Sequence, residues 1–363
     1  MISTFAPTRC GIARFSEHLA DSLERQGRSI DIFRLVETGE EACPDGRVAM
    51  EFDPSSRFSV QMAAEALARY PVAILQHEFG IYGPHEGRAV EMLIEQSETP
   101  VVVVLHTIPL RPTAAQASIL ARLVESAAAV VVPSHSARAA LSSNRIDTEA
   151  VLVMPHGSSW APADMRQGRR GNLMTWGLLG PGKGVERAID AVSRLRMDPP
   201  PFYRIVGQTH PNVLRSYGHA YRDSLVRLAS ALGIEGRVSF DEGYKTDADL
   251  YRLVVGSDLV VIPYDNDEQI SSGVLSDALA AGRPVVATDF PHARELLAGG
   301  AGVVVGHDPG EMAEAIERLL TDDIAYRRAE VAARQQARRL SWSEIGRRYD
   351  ELLDRLAAAL AVV

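Results

Sequence analysis

The chain has 363 residues, which at about 100 to 200 residues per domain is enough for two domains that each bury a full core. Hydrophobic residues make up 46% and charged residues 23%, a balance that excludes a disordered tail. Lys plus Arg is 38 against 47 for Asp plus Glu, and the net charge of −9 excludes a general nucleic-acid binder, whose affinity would come from neutralising phosphates.

Along the chain, short β-branched runs alternate with longer amphipathic stretches, the pattern of parallel strands joined by crossover helices. A first strand is predicted at Ile2 to Phe5, short enough to suggest a chain started at an internal Met. Further strands are predicted at Ile30 to Arg34, Val72 to Gln76, Val101 to His106, Ala129 to Val132 and Val151 to Met154. All are nearly continuous in apolar residues, as strands covered on both faces should be. Helices are predicted at Gly11 to Gln26, Val60 to Arg69, Thr113 to Ser126 and Ser134 to Leu141, the last with Ser134 as its N-cap. Periodicity stops at Ser158 to Asn172, which reads as a linker.

The alternation then restarts, with strands at Leu173 to Gly177, Tyr203 to Gly207, Arg237 to Phe240, Leu259 to Pro263, Pro284 to Thr288 and Gly302 to Val305. Their helices run from Gly184 to Leu195, Tyr221 to Leu232, Ala248 to Val255, Ser272 to Ala281 and Gly310 to Leu320. A closing helical segment follows, with Ser341 and Glu344 as a capping box. The fold class is α/β: two doubly wound, Rossmann-like parallel-sheet domains over 1–160 and 161–340, with the helical segment 341–363 after them. In such sheets ligands sit beyond the carboxyl ends of the strands, so a cleft between the halves is the expected active site.

Cys10 and Cys43 are too few for a disulfide framework and show no zinc spacing. With no secretory pattern and no apolar run of spanning length, the expected location is the cytoplasm. His210, His219 and His292 also lack zinc spacing, and the Gly207 to His210 segment after its strand is expected to shape a site rather than ligate.

Two segments carry candidate chemistry. Trp176-Gly-Leu-Leu-Gly-Pro-Gly-Lys-Gly184 is a strand running through a glycine-rich turn into a helix. Gly177, Gly182 and Gly184 let backbone amides approach an anion, and Lys183 adds a full charge. It is not a P-loop, because Gly184 stands where Ser or Thr is needed. A tight turn with a solvated lysine is the bland alternative. In the second segment, Ser271, Ser272 and Gly273 lie at a helix start that can meet a second part of the same anion, and Asp277 stands where a carboxylate can hold ribose hydroxyls. A capped helix with an exposed Asp is the alternative there.

Together these segments and the following Ala280-Ala-Gly-Arg-Pro-Val-Val-Ala-Thr288 resemble the donor half of retaining GT-B glycosyltransferases of family four. In the first half, Pro7-Thr-Arg-Cys-Gly-Ile-Ala-Arg-Phe15, the strand ending at His106, and Met154-Pro-His-Gly157 are similar to that family's first loop, its strand-end His and its interdomain turn. Gly-Leu-Leu-Gly-Pro-Gly-Lys-Gly, Val206 to Asn212 and Gln269 to Gly273 resemble a bacterial subgroup linked with mannose-containing glycans. The resemblance implies that the helix in 341–363 crosses back to pack on the first domain, that Lys183 binds the donor diphosphate, and that Gln269 and Asp277 occupy the positions of the family's E-x7-E pair, with Glu268 one place out of register. Gln269 cannot carry the charge of the first acid. The Arg usual before the Lys is missing, and Arg187 can replace it only if the turn brings it round. His106 is expected near the donor sugar, or as a hydrogen-bonded core His. Gly11 and Arg14 are expected on the phosphate or acceptor side, and His77 and Glu78 at the acceptor.

Asp265-Asn-Asp267 fits a D-x-D metal site, but that motif belongs to a single-domain glycosyltransferase fold, so no metal is expected. The arginines Arg327, Arg328, Arg334, Arg338, Arg339, Arg347 and Arg348 read as a solvated face, with weak contact to an anionic membrane as the alternative. The expected activity is retaining transfer of a hexose from a nucleotide diphosphate sugar to a glycan, lipid-linked or small-molecule hydroxyl acceptor, without a cofactor. GDP-mannose is the first donor expected and a UDP-sugar the second. Sugar-nucleotide epimerisation or hydrolysis, and a non-catalytic nucleotide-sugar-binding regulator, are the alternatives.

Overall fold

The structure, a computed structural model, describes residues 1–37, 39–163, 170–243, 245–266 and 269–360, with backbone alone at His85 and Leu360. The chain forms two compact units, one of Met1–Gly157 together with the segment from Trp342, the other of Ser158–Ser341.

The first unit holds seven parallel strands: β1 (Ile2–Ser3), β2 (Ile32–Leu35), β3 (Val48–Phe52), β4 (Ala73–His77), β5 (Val101–Leu105), β6 (Ala129–Val132) and β7 (Val151–Val153). Their order is β3-β2-β1-β4-β5-β6-β7. The order reverses between β1 and β4, the point at which doubly wound sheets open a crevice for ligands. Although β1 is only two residues long, it lies between β2 and β4, with Ile2 opposite Phe33 on one side and Leu75 on the other. The run Val101 to Leu105 is wholly buried, as a central strand of a covered sheet requires. Strand β3 alternates between half-buried and exposed positions because it closes one edge, and that weak apolar signal explains its absence from the prediction.

The Gly11–Arg25 helix buries Phe15, Leu19 and Leu23 against Trp342, Ile345, Tyr349 and Leu353 of the C-terminal Trp342–Leu360 helix. Gly157 makes that contact possible, since a Cβ there would lie 2.5 Å from the Trp342 ring. The closing helix is thus part of the first unit's core.

The second unit holds β8 (Asn172–Trp176), β9 (Phe202–Val206), β10 (Val238–Asp241), β11 (Leu259–Ile262), β12 (Val285–Thr288) and β13 (Gly302–Val305), in the order β10-β9-β8-β11-β12-β13. All neighbours are parallel, and the order reverses between β8 and β11. Separate clusters fill the two faces, one around Ile189, Ile205 and Ile316 and the other around Trp176, Ile262 and Leu279.

The predicted linker is corrected in part. Ser158 pairs with Ser341 as a parallel bridge, its N–H donates to the Leu340 carbonyl at 2.7 Å, and Trp160 is buried beside Trp176 and Tyr251. The start of that segment is therefore part of the second unit's core, and positions 164–169 lie outside the described residues.

Candidate functional site: two strand-order reversals

In the second unit, the turn after β8 is fixed by contacts that only glycine allows. Gly184 has φ of +60°, and a Cβ there would lie 1.8 Å from the Pro263 carbonyl oxygen at the end of β11. Gly207, with φ of +137°, presses on the Gly177 carbonyl oxygen, which a Cβ would approach to 1.9 Å. Backbone bonds complete the stitching: Leu179 N–H donates to Gln208, His210 N–H to Leu179, and Asp265 N–H to Gly182. The carboxyl ends of β8, β9 and β11 are thereby drawn together.

Lys183 stands in the middle of this turn, half-buried, with its ammonium 4.3 Å from the centre of the Tyr264 ring. Among the described residues no carboxylate pairs with it, and the aromatic face supplies its favourable contact. His210 lies close enough that burial and the Lys183 charge hold its imidazole below the usual range. Tyr264 in turn stacks on Phe290, with ring centres 5.4 Å apart. Tyr264 was not singled out in the sequence; an aromatic residue two places beyond a strand end was the available signal.

The second anion-facing element is the Gly273–Ala280 helix. Its start adjoins the lysine turn, because a Cβ on Gly177 would lie 3.8 Å from Val274 Cγ2. Ser272 is the N-cap, accepting from Leu275 N–H at 3.2 Å, while its own N–H donates to His292 Nδ1 at 2.9 Å. The Ser272 amide predicted to face a phosphate is therefore already spent, while its hydroxyl caps the helix as an acceptor and keeps its O–H donor. The N–H groups of Gly273 and Val274 meet no acceptor among the described residues and remain available to an anion. Ser271 is half-buried beside them, and its carbonyl accepts from the Gln269 side-chain amide, so that amide is held within its own loop. His292, buried at the start of the Pro291–Leu297 helix, anchors the loop from behind: its N–H donates to the Gln269 carbonyl.

Two other donor-side expectations need correction. Arg187 is brought round beside the turn, where its Nη1 would lie 2.9 Å from a Cβ on Gly184, but it is engaged there: Nη1 lies 2.6 Å from Asp265 Oδ1 and 3.0 Å from the Pro263 carbonyl, and Nε donates to His307. The guanidinium braces the loop instead. Asp277 is not exposed; it is buried on the helix, with Oδ1 accepting from the Ser158 hydroxyl at 2.7 Å. Of the D-x-D candidates, Asp265 is the partner of Arg187, while Asp267, like Glu268, lies outside the described residues. Among the described residues no group of three or more His, Cys, Asp or Glu is placed to hold a metal ion.

In the first unit, His106 follows β5 and is half-buried, with Nε2 2.8 Å from Gln76 Oε1 and its ring edge-on to Phe15. Burial, with His156 and His77 nearby, pushes its pKa down to about 3. His77 is corrected from a site-edge position to the core: it is fully buried, stacked on Tyr82 and edge-on to Phe79. Burial lowers its pKa to about 3, and among the described residues neither ring nitrogen has a hydrogen-bond partner. Glu78 caps the short turn that follows β4, accepting from Gly80 N–H at 2.7 Å. Gly11 opens the Gly11–Arg25 helix with open space where a Cβ would stand, and Cys10 Sγ is its N-cap. Arg14 is half-buried, its charge near enough to His156 to lower that imidazole further.

The C-terminal arginines divide between the Asp323–Arg339 helix of the second unit and the Trp342–Leu360 helix of the first. Arg347 pairs with Glu344 and Glu351, and Arg348 donates to the Val153 carbonyl. Among the described residues no helix is long and apolar enough to cross a membrane.

Both units, each with a parallel sheet whose order reverses at a glycine-containing turn, give the GT-B fold. It is shared with the structure of Anabaena Alr3699/HepE in complex with UDP and glucose, at TM-score 0.78, 18% identity and 98% coverage of both chains. Sucrose-phosphate synthase from Thermosynechococcus elongatus has TM-score 0.76 at 17% identity, over 96% of this chain and 94% of that one. Residues 169–336 match the model of the family described as Glycosyl transferases group 1.

Among curated relatives, the D-inositol 3-phosphate glycosyltransferase of Corynebacterium diphtheriae is 33% identical over 167 residues, 44% of this chain and 37% of that protein. The enzyme of the same name from Stackebrandtia nassauensis is 30% identical over 250 residues, 64% of this chain and 54% of that protein. The chain thus spans well under two thirds of the length of these relatives.

Proposed function

We propose that the chain is a glycosyltransferase that moves a hexose from a nucleoside diphosphate sugar to a hydroxyl acceptor, with retention at the anomeric carbon and without a metal ion. The observation that carries this reading is Lys183: an ammonium at the strand-order reversal, seated on Tyr264 and beside the open amides of Gly273 and Val274. A departing diphosphate gathers negative charge as the sugar becomes oxocarbenium-like. A fixed cation and aimed N–H groups stabilise that charge without reorganising at the moment of bond breaking. In a front-face transfer the leaving phosphate takes the acceptor's proton, so the chain needs no nucleophile of its own. The expected location remains the cytoplasm.

The Anabaena structure holds UDP and glucose, which supports a UDP-sugar as donor, and GDP-mannose stands beside it as the donor suggested by sequence. Inositol 3-phosphate, from the relatives' names, joins the acceptor panel. The test is a thermal-shift series with UDP and GDP, with and without EDTA, followed by transfer assays. A diphosphate at a hundred times its dissociation constant stabilises the protein by about 2.7 kcal/mol. Lys183→Ala is expected to erase most of that shift and to lower kcat/KM by roughly 10²- to 10³-fold. Unchanged donor affinity and turnover in the variant refute the assignment, and loss of the shift in EDTA restores the metal reading. The buried Asp277 and uncharged Gln269 favour a second reading, a nucleotide-sugar-binding protein without turnover. Tight donor binding with no product across the acceptor panel selects it.

A further inference from the structure

His210 follows β9 in a loop that is pressed onto the lysine turn of the second unit. Leu179 and Thr209 pair as a parallel bridge, the His210 N–H donates to the Leu179 carbonyl at 2.7 Å, and a Cβ on Gly180 would lie 3.8 Å from His210 Cβ. The Lys183 N–H donates in turn to the Gly180 carbonyl at 3.1 Å, so imidazole and ammonium are carried by adjoining backbone. Nδ1 of the ring accepts the Asn212 N–H at 3.1 Å. A ring nitrogen that accepts carries no proton, so the neutral imidazole holds its hydrogen on Nε2. The ring is half-buried, and among the described residues Nε2 has no hydrogen-bond partner. Two charges act on it, Lys183 from the turn and Arg215 from the Pro211–Tyr217 helix, and both are cations. Burial first, then these charges, holds the imidazole below its usual range, so it is uncharged at neutral pH.

We propose that His210 is a donor-binding residue whose Nε2–H, as part of a neutral imidazole, donates a hydrogen bond to the diphosphate of the nucleotide sugar beside Lys183. The proposal rests on the glycosyltransferase reading. A hydrogen bond to an ionised phosphate oxygen is stronger than one between neutral groups. A neutral donor adds it without repelling the Lys183 ammonium, as a second cation there would. It also answers the loss of Arg187, whose guanidinium is engaged by Asp265 and the Pro263 carbonyl. Because the Asn212 N–H already fills Nδ1, a second proton on the ring would break that bond, so the diphosphate is held without proton uptake.

Asparagine and glutamine separate the two ring nitrogens. Asn sets its side-chain oxygen near the place of Nδ1 and can keep the bond from Asn212, whereas Gln sets its amide nitrogen near the place of Nε2 and keeps the donor. Titration calorimetry at pH 8 with UDP-glucose, GDP-mannose, UDP and GDP reads the difference. His210→Asn and His210→Ala are expected to weaken binding by about tenfold or more, and His210→Gln to stay within about threefold of the parent. The bare diphosphates should show the same loss as the nucleotide sugars. Parent affinity for the nucleotide sugars, whose diphosphate does not titrate there, should change less than twofold between pH 8 and 6.5. The reverse order, with Asn binding like the parent and Gln weakened, makes His210 a structural cap and overturns the proposal. A severalfold rise in affinity from pH 8 to 6.5 that His210→Gln abolishes shows an imidazolium and also overturns it. So does a loss confined to the nucleotide sugars, which moves His210 to the transferred sugar. These three outcomes leave the glycosyltransferase reading standing. A parent protein that binds none of the four probes removes that reading, and this proposal with it.

Discussion

His77 is fully buried at the end of β4, between Tyr82 and Phe79, with a pKa near 3. An unfolded histidine titrates near 6.5, so below that pH the unfolded chain binds a proton that the folded chain refuses. Folding stability is then complete above about pH 6.5 and falls as pH drops, by about 1.4 kcal/mol per pH unit per histidine until the folded pKa is reached. His106 and His156, lowered by burial to about 3 and about 4, add to the slope. Urea unfolding at pH 7.5, 6 and 5 should show the loss before the ordinary carboxylates titrate, and His77→Leu should remove about one proton's worth of slope. An unchanged slope in that variant would place the titrating group elsewhere. A backbone effect of similar size is expected at Gly184, where φ of +60° and the Pro263 carbonyl leave no room for a Cβ. Gly184→Ala should destabilise by about 1–3 kcal/mol and displace Lys183, lowering donor affinity together with the melting temperature.

At the level of elements, the buried Ser158 to Asp277 bond ties the crossing from one unit to the other onto the helix that offers Gly273 and Val274 to an anion. Ser158→Ala leaves Asp277 short of a buried donor and should cost about 1–3 kcal/mol, read as a lower melting temperature with unchanged secondary structure. Because Asp277 faces Ser158, 2′-deoxyuridine diphosphate should bind as tightly as UDP; a tenfold preference for the ribose would return Asp277 to the nucleotide. Continuous runs such as Val101 to Leu105 were legible because both faces of a central strand are covered. Strand β3 and the short Pro211–Tyr217 and Pro291–Leu297 helices were not: an edge strand and helices of two turns carry little apolar periodicity. The lysine turn could be read because its glycines answer a local backbone demand. Tyr264, His292 and the spent side chain of Arg187 could not, since each takes its role from a partner far away in sequence. The burial of Asp277 was hidden for the same reason, because Ser158 stands 119 residues before it.

At the scale of the whole chain, each unit encloses its own apolar clusters, and the C-terminal helix belongs to the first despite following the second in sequence. Trp342 is the keystone of that return: it is 2% exposed, edge-on to Phe15 at 5.0 Å, and its carbonyl accepts from the Ser22 hydroxyl. Truncating it removes an aromatic ring from the first unit's core and touches none of the residues around Lys183. Trp342→Ala should therefore cost the first unit about 3–5 kcal/mol. At about 2–4 °C per kcal/mol for domains of this size, its calorimetric transition should fall by roughly 6 to 20 °C. The nucleotide diphosphate tests the separation directly, because Lys183, Gly273 and Val274 all lie in the second unit. UDP affinity by titration calorimetry at a temperature below both transitions should stay within twofold of the parent protein. Loss of UDP binding in step with the first unit's transition would mean that the two cores do not fail independently, and that the diphosphate seat needs more than the Lys183 turn and the Gly273–Ala280 helix.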